Sequence, residues 1–227
     1  GKHSTIVTLL KTKAKNEVTP NDWCYVNNFK NQQKPIAIEL APGVASQFKD
    51  DISELIELFQ SILPTVFQTS NYNQQRDVIN QKYMDKQTEI FEELQKEARK
   101  HDVSMNASST THVTFVPIVN GKVLSATEYA AIKGKQKQEI TDKMIAFELI
   151  VKEGLHKVTQ LTKELQKEFK ALERKTTKEA VGLLIDEVRN KYKNSHKIHN
   201  YLNELQDDVV ENVKDFLSTS DTMNVPA

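Results

Sequence analysis

The opening residues, "GKHST", come nearest to a chemical site by their types and spacing. In a phosphate-binding loop, a Gly-Lys pair followed by Ser or Thr leads into a helix, whose backbone N–H groups hold phosphates while the Lys contacts the terminal ones. Gly1, Lys2 and Ser4 lie at the corresponding place, before the apolar run "TIVTLL". His3 stands where the loop normally has the residue that holds Mg²⁺. The pattern predicts a degenerate nucleotide-binding loop.

Other residues capable of chemistry do not form a recognisable motif. His196 and His199 lie three apart, but no carboxylate or Cys joins them at metal-ligand spacing, so a surface pair is favoured. Cys24, the single cysteine, lies in an apolar run and is interpreted as a core residue, not a nucleophile. The run "LLIDE" is similar to a Mg²⁺-binding strand, yet its helical surroundings indicate that Asp186 and Glu187 are surface acids. No catalytic residue and no metal site are predicted.

The composition limits the classes of function. Of 227 residues, 38% are hydrophobic and 7% aromatic, which favours elongated helices with largely solvated surfaces. Basic and acidic residues both number 31, so a nucleic-acid partner is not expected. No apolar run approaches the ~20 residues of a membrane span. A lone cysteine fits a reducing compartment. We therefore expect a cytoplasmic protein without membrane contact.

The first 43 residues have the pattern of a partial α/β sheet piece. A short helix over residues 4–15, capped by Ser4 or Thr5, precedes the strand-like runs "WCYVNNF" and "IAIEL". From Val44 the apolar spacing becomes helical, with a break or kink expected at Pro64. A second helix is predicted over residues 73–101, followed by a loop at residues 104–111.

A β-hairpin is predicted at about residues 112–125, with its turn at Asn120-Gly121. Ser125 and Glu128 then form a capping box for a helix running unbroken from Thr127 to Arg174. Apolar residues in this helix alternate at steps of four and three, as in a coiled-coil seam. The seam residues are Ile140, Met144, Phe147, Val151, Gly154, Val158, Leu161 and Leu165.

The fold class predicted from these elements is mainly α. Two long helices flank the hairpin, which indicates an antiparallel coiled-coil arm with the hairpin at its tip, attached to the α/β piece. The chain thus divides into residues 1–43, a helical insert over 44–174, a two-helix segment over 175–217 (helices at 178–192 and 196–217), and a disordered tail at 218–227.

Several unusual segments together resemble one family. "PNDWCYVNNF", followed by "KP", "IAIELAPG" and "FKDDISELIELF", closely resembles Lon-like proteases of the LonB and LonC type. "FVPIVNGKVLS", "AVGLLIDEVRNKY" and "YLNELQDDVVENVKDF" are similar to the same family, in the same order across essentially the whole chain. The resemblance implies an AAA+-type serine protease whose Ser-Lys dyad lies in a C-terminal domain. This chain would be the early AAA+ strands plus a long helical insert, without the protease domain.

The resemblance also implies partners and a cofactor. The whole protein would be an endopeptidase in a homo-oligomeric ring that degrades unfolded polypeptides, with or without ATP. This chain itself is expected to be inactive and to bind no ATP. Its arm would gate or recruit protein substrates, with Phe115, Val116 and Ile118 of the hairpin as candidate contacts. The alternative is a structural coiled-coil scaffold without enzymatic activity.

Overall fold

The computed structural model describes residues 2–107 and 113–218, and over these residues the fold is mainly helical with two small antiparallel sheets. The helices are α1 Lys2–Lys15, α2 Val44–Val66, α3 Ser70–Lys100, α4 Ala126–Ala131, α5 Gly134–Lys191, α6 His196–Glu211 and α7 Val213–Ser218. The strands are β1 Asp22–Val26, β2 Ile36–Leu40, β3 Val103–Ala107, β4 Val113–Val119 and β5 Lys122–Val123. The mainly α fold class is confirmed. No helix in this part of the chain combines the length and apolarity needed to cross a membrane.

The chain forms two compact units. Among the described residues, the first unit joins 2–69 to 174–218, and the second comprises 70–107 and 113–173. Helix α5 contributes to both, because it runs from Gly134 to Lys191. The four segments predicted from the sequence follow changes of composition along the chain. This division into domains stays a prediction.

The core of the first unit is built on one face of α2. Phe48, Leu55, Phe59 and Leu63 repeat at helical spacing and are almost completely buried. They pack with the end of α5, with α6 and with the inward residues of β2 in a single cluster. Burial of each large apolar side chain stabilises the fold by about 1.5–3 kcal/mol. This cluster therefore holds α2 against the elements around it.

The strands of the first unit form an antiparallel pair, with Trp23 opposite Glu39 and Cys24 opposite Ile38. Cys24 is half-buried against the core, whereas Trp23 and Tyr25 are exposed, as the two-residue period of a strand requires. Both predicted strands are present, although β1 ends at Val26 and not at Phe29.

In the second unit, α3 and α5 pack in antiparallel directions. Tyr83 of α3 donates a hydrogen bond to Glu168 of α5 at 2.9 Å. Leu94, further along α3, lies against Gly154, which comes earlier in α5. Residues later in α3 thus contact residues earlier in α5, so the two helices run in opposite directions.

The predicted seam of α5 is partly buried. Phe147, Val151, Gly154 and Val158 are buried, and the remaining four seam residues are partly exposed. A Cβ atom placed on Gly154 would lie 2.9 Å from both methyl carbons of Leu94. Glycine at this seam position therefore permits the close approach of the two helices.

The sheet of the second unit has the order β3-β4-β5. The predicted turn is confirmed, because Asn120 and Gly121 both have positive φ, 49° and 76°, as a tight hairpin turn requires. The capping box of Ser125 and Glu128 is also confirmed, at the start of α4. The loop predicted from residue 104 is wrong up to residue 107, where β3 pairs with β4. Ser104 and Asn106 have weak strand propensity, so only the pairing with β4 reveals the strand.

Several helix boundaries differ from the prediction. The unbroken helix from residue 127 ends instead at Ala131, and α5 begins at Gly134, whose φ is +68°. Helix α5 then continues through the break predicted after Arg174. The last predicted helix is divided at Asn212 into α6 and α7. Pro64 lies inside α2 without ending it, since only two helical residues follow and a single hydrogen bond is lost.

Candidate functional site

A groove of about 490 Å³ lies in the first unit between β1 and the first turns of α2. Three parts of the chain line it. The first is Cys24, Tyr25 and Val26 of β1 with Asn27 directly after the strand. The others are Ala45, Ser46, Phe48, Lys49, Ile52 and Ser53 of α2, and Tyr201 of α6. The backbone N–H of Ala45 donates to the Asp22 carboxylate at 3.0 Å. This bond joins the start of β1 to the first turn of α2, where unpaired N–H groups favour a negative charge.

The wall of the groove is mostly apolar, with one charged side chain. Among the described residues lining it, Lys49 alone carries a charge. Lys49 is exposed and makes no ion pair within the described part of the chain. An apolar wall with a few polar groups is typical of sites that bind another molecule.

Cys24 is not arranged as a nucleophile. Burial raises the pKa of its thiol, and the nearby Asp22 charge acts in the same direction. A raised pKa leaves less thiolate, which is the reactive form. The interpretation of Cys24 as a structural residue agrees with this geometry, although its half-buried side chain also lines the groove.

Asp51 fixes α2 to the C-terminal end of α5. Its carboxylate accepts hydrogen bonds from Lys191 Nζ at 2.8 Å and from Tyr192 Oη at 2.7 Å. Burial by itself raises the pKa of Asp51, but the two donors outweigh burial, and the pKa lies below its ordinary value. The pKa of Tyr192 is strongly raised, first by burial and then by the hydrogen bond to Asp51. Phe48 packs edge-on against the Tyr192 ring, with the ring centroids 5.2 Å apart.

The residues of the predicted nucleotide loop are distant in sequence from this groove, and neither Lys2 nor Ser4 lines it. Gly1 lies outside the described residues, and Lys2 is the first residue of α1. Ser4 lies inside α1, where its carbonyl accepts a hydrogen bond from Thr8 Oγ1. The predicted cap at Ser4 or Thr5 is therefore wrong, since the helix begins two residues earlier. Nucleotide binding by Gly1, Lys2 and Ser4 stays a prediction.

The three predicted substrate contacts differ in their surroundings. Phe115 is partly buried, with its ring 5.3 Å from that of Phe147. Val116 is 40% exposed. Ile118 lines a second cleft of about 360 Å³ in the second unit, together with Asp102 and Lys143. Contact with substrate stays a prediction for all three.

Metal ligation has no support in the part of the chain that the structure describes. Across residues 2–107 and 113–218, no group of three or more His, Cys, Asp or Glu side chains could hold a metal ion. His199 places its Nε2 in a buried position without a hydrogen-bond partner there. His196 is exposed, whereas His199 is half-buried, so the predicted surface position holds for His196 alone of these two.

Sequence reasoning did not single out Lys49 or Tyr201, and its interpretation of the acidic pair Asp50-Asp51 as a solvated helix face is wrong for Asp51, which is buried. Lys49 and Asp51 lie in the charged run "FKDD", which by itself indicates a solvated helix face. One available signal was the helical spacing, because Asp51 lies three residues after Phe48 and four before Leu55, on the buried face. Tyr201 reaches the groove only through tertiary packing.

Together, the fold and the groove define a mainly helical protein with a mostly apolar groove, lined by a single charged side chain among the described residues, beside a two-stranded sheet. Residues 22–55 match the family model of the Lon-like LonC helical domain. The matched stretch contains β1, β2 and the first half of α2, and hence every residue lining the groove except Tyr201. The match supports a relation to the Lon-like proteases. No curated protein matches the chain.

Proposed function

We propose that this chain is a non-catalytic portion of a Lon-like protease, in which its helices gate or recruit protein substrates for degradation. The observation that carries the proposal is the match of residues 22–55 to the Lon-like LonC helical domain. The matched residues contribute Ile38, Phe48 and Leu55 to the core of the first unit. The similarity therefore lies in a structural part of the fold and not in an isolated loop.

The second unit supports the idea of an arm. Helices α3 and α5 pack in antiparallel directions, and the sheet β3-β4-β5 lies between them in sequence. We infer that these helices form a coiled-coil arm with the sheet at its tip. Val116 and Val123 are 40% and 48% exposed on this sheet and offer apolar surface to an unfolded polypeptide, with Ile118 beside them.

The proposal extends to the whole protein. We infer a cytoplasmic homo-oligomeric ring that works with or without ATP, an AAA+-like sheet that includes β1 and β2, and a serine protease dyad outside this chain. In this arrangement Gly1, Lys2 and Ser4 would belong to the nucleotide loop. The antiparallel pairing of β1 and β2 requires that any parallel neighbours come from other segments.

The first experiment measures proteolysis. The purified chain is incubated with fluorescein-labelled casein, and we expect no release of fluorescent peptides. The natural gene product is assayed in the same way, with and without ATP, and we expect degradation. Cleavage by the purified chain contradicts the non-catalytic role, and a natural gene product without proteolytic activity contradicts the relation to a protease.

The second experiment measures recruitment. Fluorescence anisotropy of labelled, unfolded casein is compared for the unchanged chain and for Val116→Asp, and we expect weaker binding by the variant. Val78→Asp is the matched control, because Val78 lies on α3 of the same unit and is 64% exposed. Equal effects of both substitutions, or of neither, contradict recruitment through the sheet.

A further inference from the structure

The groove of the first unit lies along the edge of β1. Cys24, Tyr25, Val26 and Asn27 are four consecutive residues, and all four line it. Successive side chains of a strand point to opposite faces of the sheet. A groove that contacts four residues in a row, three in β1 and one directly after it, is the arrangement expected beside the strand backbone.

This edge of β1 has no strand beside it in the described part of the chain. The sheet contains only β1 and β2, and β2 contributes no residue to the groove. The groove thus lies on the side of β1 opposite β2. An unpaired edge presents backbone N–H and C=O groups that another extended chain can bind.

The side chains of the groove define the chemistry of the occupant. The half-buried Val26 and Ile52 offer apolar surface, while Lys49 supplies a positive charge without an ion pair among the described residues. Charge complementarity therefore favours a carboxylate in the occupant, placed among apolar side chains. The four residues Cys24–Asn27 span about 13 Å, at about 3.3 Å per residue, which is room for an equally short extended segment.

We propose that this groove binds an extended segment of another polypeptide by strand addition to β1, with apolar side chains at alternate positions and an acidic side chain against Lys49. The inference goes beyond the proposed function, and it requires that the other strands of the AAA+-like sheet pair with β2 and leave this edge of β1 unpaired. It also concerns a surface different from the candidate contacts on β4.

The probe is a fluorescein-labelled, end-blocked peptide with the sequence Val-Thr-Glu-Thr-Val-Thr-Val. In an extended strand, its Glu and its Val side chains share one face. Binding is followed by anisotropy and by the emission of Trp23, the single tryptophan, which lies on β1. Protection of Cys24, the single cysteine, from alkylation reports occupancy of the groove itself.

Two N-methylated peptides test strand addition directly. One carries N-methyl groups at the odd positions and the other at the even positions. Only alternate N–H groups of an added strand face β1, so we expect one peptide to lose binding and the other to retain it. Equal affinities of the two peptides would overturn strand addition, and so would the absence of saturable binding by the unmethylated peptide.

Charge variants test the role of Lys49. We expect Lys49→Glu to weaken binding of the Glu peptide about fivefold, and to strengthen binding of the same peptide with Lys in place of Glu, as an exposed ion pair allows. Lys34→Glu is the matched control, because Lys34 is an exposed lysine of the same unit outside the groove. Equal effects of both variants would overturn the assignment.

A second copy of the chain is the competing occupant. In that case Cys24 becomes protected as the protein concentration rises without any peptide, and sedimentation shows a dimer. We expect protection only when the peptide is present. Protection that depends on protein concentration alone would overturn the proposal.

Discussion

Replacing Asp51 by Ala should destabilise the first unit by about 2 kcal/mol. Asp51 is 9% exposed, and its carboxylate accepts hydrogen bonds from Tyr192 and Lys191. A hydrogen bond to a charged group contributes about 1.5–3 kcal/mol, and the substitution also leaves the partly buried Tyr192 hydroxyl without its acceptor. Lys191 adds little, because half of its side chain is in solvent and its ammonium group can be rehydrated.

The assay is urea unfolding followed by the fluorescence of Trp23, which lies in the first unit. Asp50→Ala is the matched control, since it removes the same charge from the exposed neighbouring position of α2. We expect Asp50→Ala to change the free energy of unfolding by less than about 0.5 kcal/mol, as is usual for surface substitutions. Similar losses in both variants would refute the reasoning.

A double-mutant cycle with Tyr192→Phe isolates the hydrogen bond. Removing the Tyr192 hydroxyl should lower the free energy of unfolding much less when residue 51 is already Ala. The pH dependence is a further check. Because the pKa of Asp51 is lowered by folding, its contribution is fully present above the ordinary carboxyl pKa of about 4. That contribution should disappear as the pH falls through the folded-state pKa, and Asp51→Asn should not show this loss.

Four further predictions concern single positions. Gly154→Ala should lower the free energy of unfolding of the second unit by about 1 kcal/mol, because overpacking against the buried leucine outweighs the helix propensity of Ala. Gly182→Ala, where the nearest atom lies at 3.4 Å, should instead raise stability by up to about 1 kcal/mol, and both changes are measured by urea unfolding. The pKa of Glu128 should be about 2 by NMR titration, because Lys122 and Ser125 stabilise its charge, and Lys122→Met should raise it. Alkylation of Cys24 should be slow at neutral pH and should increase only above the ordinary thiol range, and rapid modification at neutral pH would contradict its raised pKa.

Local sequence patterns predicted the parts of the fold that depend on near neighbours. The turn at Asn120-Gly121 and the capping box of Ser125 and Glu128 each depend on a few consecutive residues, whose backbone preferences are strong. The strand "IAIEL" alternates apolar and polar residues and was predicted with its observed limits. Strand β3 was missed because its pairing with β4, and not its own composition, makes it a strand.

The candidate groove could be predicted only in part. The sequence drew attention to the unusual run "DWCYVNNF", and that run supplies one wall. It did not indicate that the backbone edge of β1 would be left unpaired, because strand pairing is decided between distant segments.

By itself, the sequence determined the helical character of the chain, the apolar faces of its helices and the resemblance of residues 22–55 and beyond to a Lon-like protease. These properties follow from the periodicity of apolar residues and from the order of segments along the chain, and neither depends on contacts between distant residues. Only the tertiary structure decided the continuity of α5, the burial of Asp51 and the place of Lys49 beside β1. Each of these depends on which distant side chains meet, and burial and pairing free energies of several kcal/mol then override weak local preferences.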